Sequence, residues 1–85
     1  MLYYVYILYS EIANRYYIGS SANPEERVHR HNAGATLSTK SGRPWKIVYT
    51  EISSSKTEAL KREIYLKRMK SRVLIETLIH SKELM

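Results

Sequence analysis

The chain of 85 residues contains no cysteine, no phenylalanine and no aspartate. Without cysteine there is no disulfide, thiolate zinc site or sulfur nucleophile, and folding needs no oxidation. All eight acidic residues are glutamate, which excludes sites built on paired or tripled aspartates. No run approaches the roughly 18 apolar residues of a membrane span. The start Met1-Leu2-Tyr3-Tyr4 carries no basic leader, so a cytoplasmic protein without membrane association is expected. No linker, internal repeat or low-complexity tract divides the sequence, and its length suits one domain covering residues 1–85. A core of this size leaves roughly 3–5 kcal/mol after conformational entropy is subtracted, so pairing with a second copy or with a protein partner is compatible with the composition.

What is present is basic and rich in tyrosine. Fourteen Lys and Arg against eight Glu give a net charge of +6 and a pI near 9.7, which makes polyanions the first partners to consider. Eight tyrosines and one tryptophan supply all the aromatic rings. A plain core does not require that many hydroxyls.

Leu2 to Tyr9 is apolar or aromatic and reads as a buried strand, followed by a polar turn and a second strand from Arg15 to Ser20. Together they form an antiparallel hairpin. Asn23-Pro24-Glu25-Glu26 carries a capping residue, a proline suited to the first helical position and acids for the positive end of the dipole. The first helix is expected from Pro24 to about Ala33, stopped by Gly34. Ala35 to Pro44 reads as a polar, mobile loop. A third strand spans Trp45 to Glu51, with Ile47 and Tyr49 on one side and Val48 and Thr50 on the other. Ser55 and Glu58 form a capping box for a helix from Lys56 to about Lys70. The stripe Leu74, Ile75, Leu78 and Ile79 places a last helix over Arg72 to His80. The expected fold is α+β, a three-stranded antiparallel sheet flanked by three helices in the order ββαβαα.

Several residues invite chemistry. Tyr4-Val5-Tyr6-Ile7-Leu8 and Tyr16-Tyr17-Ile18-Gly19-Ser20 each read, taken alone, as amphipathic strands with aromatic packing. Arg27 and His31, four residues apart, share one helix face, flanked by His29 and Arg30. Glu63 lies at helical spacing from Ala59 and Leu60, at the edge of a buried face, among Lys61, Arg62, Lys67 and Arg68.

Taken in order, Val5-Tyr6, Tyr17-Ile18-Gly19, Asn23-Pro24-Glu25-Glu26-Arg27 with His31-Asn32, Gly42-Arg43-Pro44-Trp45 and Ala59-Leu60-Lys61-Arg62-Glu63 resemble the GIY-YIG nuclease family over about residues 3–75. The likeness is to its small stand-alone bacterial members and to the nuclease domains of structure-specific repair endonucleases and of the excision-repair machinery. It implies the same α+β fold, with Tyr6 and Tyr17 lining an active site, Arg27 contacting the scissile phosphate and Glu63 binding a single Mg²⁺ or Mn²⁺ ion. His31 stands where some members have histidine and others tyrosine. Two departures accompany the match: residues 72–85 contain no asparagine, and Ser20 replaces a lysine found in some relatives.

Hydrolysis of a phosphodiester develops negative charge on the phosphoryl oxygens, which a divalent ion and a guanidinium stabilise. Glu63 and Arg27 would provide those two elements. Tyr6 is expected to activate the attacking water, its phenol made more acidic by the field of the metal, Arg27 and His31. His31 would take the proton and Tyr17 would orient water or phosphate, although the roles of the two tyrosines can be exchanged. Arg30, Lys40, Arg43, Lys46 and Lys67 are the expected contacts to nucleic acid, with Trp45 packed in the core. The expected function is a metal-dependent endonuclease acting on DNA, in repair or recombination; the alternative is a nucleic-acid-binding module of the same fold with little intrinsic cleavage, or a chain whose site a protein partner completes.

Overall fold

The computed structural model describes residues 2–83. Strand β1 (Tyr3–Ser10) occupies the centre of an antiparallel sheet, between β2 (Arg15–Ser21) and β3 (Trp45–Ser53), in the order β2-β1-β3. Helix α1 (Pro24–Asn32) follows the hairpin, a 3-10 helix (Leu37–Gly42) leads into β3, and α2 (Lys56–Met69) and α3 (Arg72–Glu83) complete the described chain. The ββαβαα order read from the sequence is therefore the order observed.

The sheet is covered on both faces, which explains why β1 reads as a nearly unbroken apolar run. Val5, Tyr6, Ile7 and Leu8 are all completely buried. Alternation sends Val5 and Ile7 to one face, where Ile18, Ala59, Leu66 and Ile75 complete a core under α2 and α3. Tyr6 and Leu8 point the other way, into a smaller cluster with Trp45 that also takes up Tyr17, Val28 and Ile47.

Helix starts follow the capping logic. Asn23 Oδ1 accepts from the Glu26 amide and Ser55 Oγ from the Glu58 amide, each at 3.2 Å, and such caps contribute about 1 kcal/mol. Helix α2 ends at Lys70, a non-glycine residue in the left-handed region with φ 46°. That conformation costs an L residue roughly 1–2 kcal/mol.

Two expectations need correction. The register between β1 and β3 shifts between Ile7, which faces Tyr49, and Leu8, which faces Ile47. Val48 is thus the extra residue of a β-bulge. Beyond the bulge the alternation changes phase, so Tyr49 packs with Val48 on the α2–α3 face while Ile47 packs on the other. Strict period-two alternation puts Ile47 with Tyr49 because an inserted residue leaves no compositional mark.

Nor is the segment from Ala35 to Pro44 a plain loop. It contains the 3-10 helix with Thr39 and Gly42 buried, and its polar residues bond inward. Trp45 Nε1 donates to the Thr39 carbonyl at 2.6 Å, and Arg15 Nη2 donates to the Ser38 carbonyl at 3.1 Å. At the end of α1 the Asn32 side chain both accepts from the Trp45 amide (2.6 Å) and donates to the Trp45 carbonyl (2.9 Å). This amide pair imitates a strand neighbour and locks α1 to β3.

Gly42 has no room for a side chain, since an added Cβ would stand 2.4 Å from Trp45 Cζ2 and 2.9 Å from Cε2. Gly42→Ala is expected to cost about 1–3 kcal/mol through overpacking. At about 4–8 °C per kcal/mol for a domain of this size, thermal unfolding followed by circular dichroism will read the loss. An unchanged midpoint would mean that the 3-10 segment yields freely and does not anchor Trp45.

Candidate active site at the free edge of the sheet

Strand β2 has no neighbour on its outer side, and the chemistry-bearing residues gather along that edge. Gly19 lies opposite Tyr6 in the ladder. A Cβ at Gly19 would stand 2.4 Å from Tyr6 Oη and 2.5 Å from Cζ. The missing side chain therefore lets the Tyr6 ring lie across β2 with its hydroxyl toward the edge. Tyr17 and Gly19 alternate with Ile18 and Ser20, so the edge presents Tyr17 on the α1 face and Ser20 on the α2 face.

Tyr6 ends in a buried polar chain. Its hydroxyl lies 3.3 Å from His31 Nε2, and His31 Nδ1 lies 2.8 Å from Thr39 Oγ1. Thr39 in turn donates to the Thr36 carbonyl at 3.2 Å. A hydroxyl has one proton to give. With the Thr39 proton on that carbonyl, Thr39 accepts from His31, and this assignment of the network puts the imidazole proton on Nδ1 and the Nε2 lone pair toward Tyr6. Tyr6 is the donor of that bond.

Burial and charge agree with this assignment. His31 is 1 % exposed, and burial first, the nearby Arg27 charge second, push its pKa below the ordinary histidine value. Both causes favour the neutral imidazole over the imidazolium. Burial pushes the Tyr6 phenol up; Arg27 works against this while Tyr17 and Glu63 reinforce it. The expectation of a phenol made acidic by surrounding positive charge does not hold for the protein alone, because desolvation outweighs the guanidinium and the histidine carries no charge to assist it. Tyr6 has no exposed surface, whereas Tyr17 is half-buried.

Around the same edge stand the other members. The Tyr17 ring meets the His31 ring edge-on with centroids 4.7 Å apart. Arg27, one turn before His31 on α1, is half-buried and close enough for its charge to act on both Tyr6 and His31. Glu63 comes from α2, whose Ala59 and Leu66 turn inward against the sheet. Its Oε1 accepts from Ser20 Oγ and its Oε2 from Lys67 Nζ, both at 2.6 Å, and its side chain is 14 % exposed. Lys67 Nζ also lies 5.7 Å from the centroid of the Tyr17 ring, joining the α2 side of the edge to the α1 side.

Tyr6, Tyr17, Arg27, His31, Glu63 and Lys67 are thus brought together. The remaining basic residues singled out in the sequence are engaged elsewhere or face solvent. Arg30 pairs with Glu26 at 3.2 Å and Lys46 with Glu11 at 3.2 Å, while Arg43 bonds the Lys40 and Asn32 carbonyls and Lys40 is exposed. Thr39 carries no signal in the sequence because it is one of several Ser and Thr in a polar stretch, and only tertiary placement sets it apart. Ser20 is visible there as a substitution for a family lysine; in the structure it fixes the carboxylate.

Glu63 is the carboxylate available to a cation at this edge, and among the described residues no group of three or more histidines and acids is clustered to hold an ion. No described helix is long and apolar enough to cross a membrane.

Comparison with known proteins identifies the family of the domain. The model of the GIY-YIG catalytic domain matches residues 2–76. A UPF0213 protein of Staphylococcus haemolyticus is 45% identical over 65 residues, covering 75% of this chain and 78% of that one. Another, from Limosilactobacillus reuteri, is 36% identical over 81 residues, covering 87% and 83% respectively. The solution NMR structure of the UPF0213 protein BH0048 from Bacillus halodurans superposes with a TM-score of 0.59 at 32% identity, over 96% of this chain and 86% of that one. The tyrosines, the glycine that gives one of them passage and the helix-borne glutamate therefore stand within a domain match spanning nearly the whole sequence, and the chain belongs to the GIY-YIG family.

Proposed function

We propose that this protein is a metal-dependent endonuclease that hydrolyses phosphodiester bonds in DNA. The observation that carries the reading is the ordered chain Tyr6–His31–Thr39, whose tyrosine end feels the charges of both Arg27 and Glu63. A neutral histidine with its lone pair on a tyrosine hydroxyl is a proton acceptor in waiting. A structural cluster has no need to fix that tautomer.

Whether the donor set fits a metal rests on Glu63. A hard divalent cation such as Mg²⁺ keeps several waters and takes one or two carboxylates plus substrate phosphate. The Glu63 carboxylate, held by Ser20 and partly open to solvent, fits that habit. Mg²⁺ or Mn²⁺ held there would stabilise negative charge on the phosphoryl oxygens.

The protein's own groups supply the remaining steps. Arg27 binds a phosphoryl oxygen and counters the charge that develops on it. Tyr17, the more accessible tyrosine, meets the substrate first. Tyr6 has no exposed surface in the free protein, so its hydroxyl reaches the attacking water only once the side chains around it shift on substrate binding. As Tyr6 takes the proton of that water it passes its own to His31 Nε2, and Thr39 continues to hold Nδ1–H. The phenol never has to exist as a free phenolate, which its burial opposes.

A second reading, a nucleic-acid-binding module with little cleavage of its own, draws on Lys67, whose ammonium already compensates the Glu63 carboxylate at 2.6 Å. Cleavage of labelled linear, flap and branched DNA, with Mg²⁺ or Mn²⁺ and with chelator, separates the two. We expect metal-dependent cleavage by the wild type and none by Glu63→Gln, with DNA binding preserved. Binding by the wild type without cleavage of any substrate would favour the module.

The relay makes two further predictions. Tyr6→Phe should reduce turnover by about 10²–10⁴, the usual contribution of general acid–base catalysis, while leaving affinity for DNA intact. Full activity in Tyr6→Phe would transfer the role to Tyr17. Thr39→Val, which keeps the shape and removes the hydroxyl, should lose the Nδ1–H form of His31 by ¹⁵N NMR and lower activity, with Thr39→Ser restoring both. Unchanged imidazole signals in Thr39→Val would remove Thr39 from the relay.

A further inference from the structure

Beside Tyr17 the free edge of β2 opens into a groove of about 380 Å³ between that strand and the α2–α3 junction. The volume lies within the roughly 300–1,000 Å³ typical of small-ligand sites. Its floor is apolar, formed by Ile18, Leu66 and Ile75, and Tyr16 and Tyr17 line the strand side. Its rim carries four basic side chains, Arg15, Lys67, Lys70 and Arg72, beside Ser71, with no acidic residue among the lining groups.

Three of those cations have internal duties. Arg15 holds the Ser38 carbonyl, Lys67 pairs with Glu63, and Arg72 binds Glu76 and Asn14. Lys70 has none: among the described residues its side chain makes no hydrogen bond or ion pair. It also occupies the left-handed C-cap of α2, where glycine or asparagine would sit with less strain. The groove mouth therefore holds a lysine whose ammonium is not taken up by the protein itself and which stands at a position that glycine or asparagine would fill with less strain.

We propose that this groove is a subsite for an unpaired nucleotide of the DNA strand being cleaved, with the base against the apolar floor and tyrosine wall and its phosphate at Lys70. The inference rests on the nuclease reading and adds to it the class of substrate. Charge complementarity selects the occupant, since an apolar floor bordered by basic side chains, Lys70 unpaired among the described residues, suits an aromatic ring attached to a phosphodiester. Bases in continuous duplex are stacked and paired, and entering the groove would require flipping one out. Strands with a flap, gap or single-stranded end offer the base freely. Continuity with Tyr17 and Lys67 puts the subsite immediately beside the scissile position.

The test is binding in chelator, where hydrolysis does not intervene, of three labelled DNAs: a continuous duplex, the same duplex with a single-stranded flap, and the flap strand alone. A 2-aminopurine series along the unpaired nucleotides reports stacking on tyrosine. Lys70→Asn is the informative variant, because asparagine tolerates the left-handed conformation and the fold is expected to keep or gain stability, checked by thermal unfolding. We expect the flap and single strand to bind on the order of tenfold more tightly than the duplex, with 2-aminopurine quenched at the nucleotide beside the junction. Lys70→Asn should weaken flap binding several-fold, shallow its salt dependence by about 0.7 in log–log slope, relieve the quenching and leave duplex affinity unaltered. Equal affinity for flap and duplex, or a Lys70→Asn protein indistinguishable from wild type on the flap, would overturn the subsite while leaving a nuclease that binds DNA. Absence of binding to all three DNAs would overturn both readings.

Discussion

A hydroxyl carried into the middle of a fully covered sheet must find a partner, and the architecture of the site follows from that requirement. Tyr6 belongs to the one strand buried on both faces, where an unmet polar group costs about 1–3 kcal/mol. Its hydroxyl is met by His31, His31 by Thr39, and Thr39 by the Thr36 carbonyl. Among the described residues no buried side-chain nitrogen or oxygen lacks a partner. Each link obliges the next, so a demand arising in β1 reaches as far as the 3-10 helix. The Trp45 indole and the Asn32 amide then hold that helix against β3. A segment with the composition of a loose connection is tied to its neighbours on both sides for this reason.

The net charge of +6 says how many cations exceed the glutamates but not which of them are left unpaired. Arg30, Lys46, Arg62 and Lys67 are each tied to a glutamate, and Arg72 is engaged with Glu76. Such exposed pairs contribute little to stability, but they decide where uncompensated charge remains. Around the sheet edge the balance is close, with Arg27 opposing the burial of Tyr6 and Lys67 holding Glu63. A phosphate arriving there meets a field already arranged by neighbouring side chains.

The elements are legible in the sequence because their signals are local. Asn23-Pro24 and Ser55 with Glu58 mark helix starts through side-chain and backbone chemistry within four residues, and both caps form. The apolar run of β1 and the hairpin after it are equally direct. What escapes depends on distant pairing. The Val48 bulge exists only relative to β1, and Thr39 gains its importance from a histidine eight residues earlier that a helix turns toward it. Tyr6, Tyr17, Arg27, His31 and Glu63 stand out as an ordered set of motifs, and their convergence at one edge is a property of the fold. The direction of the Tyr6 shift is hidden because sequence reveals nearby charges more readily than the absence of water. Surface lysines and arginines are hard to sort, since pairing with glutamates scattered through the chain determines which of them stay free.

Five separate pieces of chain each contribute to this site: Tyr6 from β1, Tyr17 from β2, His31 from α1, Thr39 from the 3-10 helix and Glu63 from α2. No fragment holds a working subset. During synthesis the emerging polypeptide completes β1, β2, α1 and β3 without the carboxylate, and a partly unfolded copy loses the complete site as soon as any one piece departs. The proposed hydrolytic capacity is thereby tied to global folding, and a chain that is incomplete or damaged falls silent before it can cut indiscriminately.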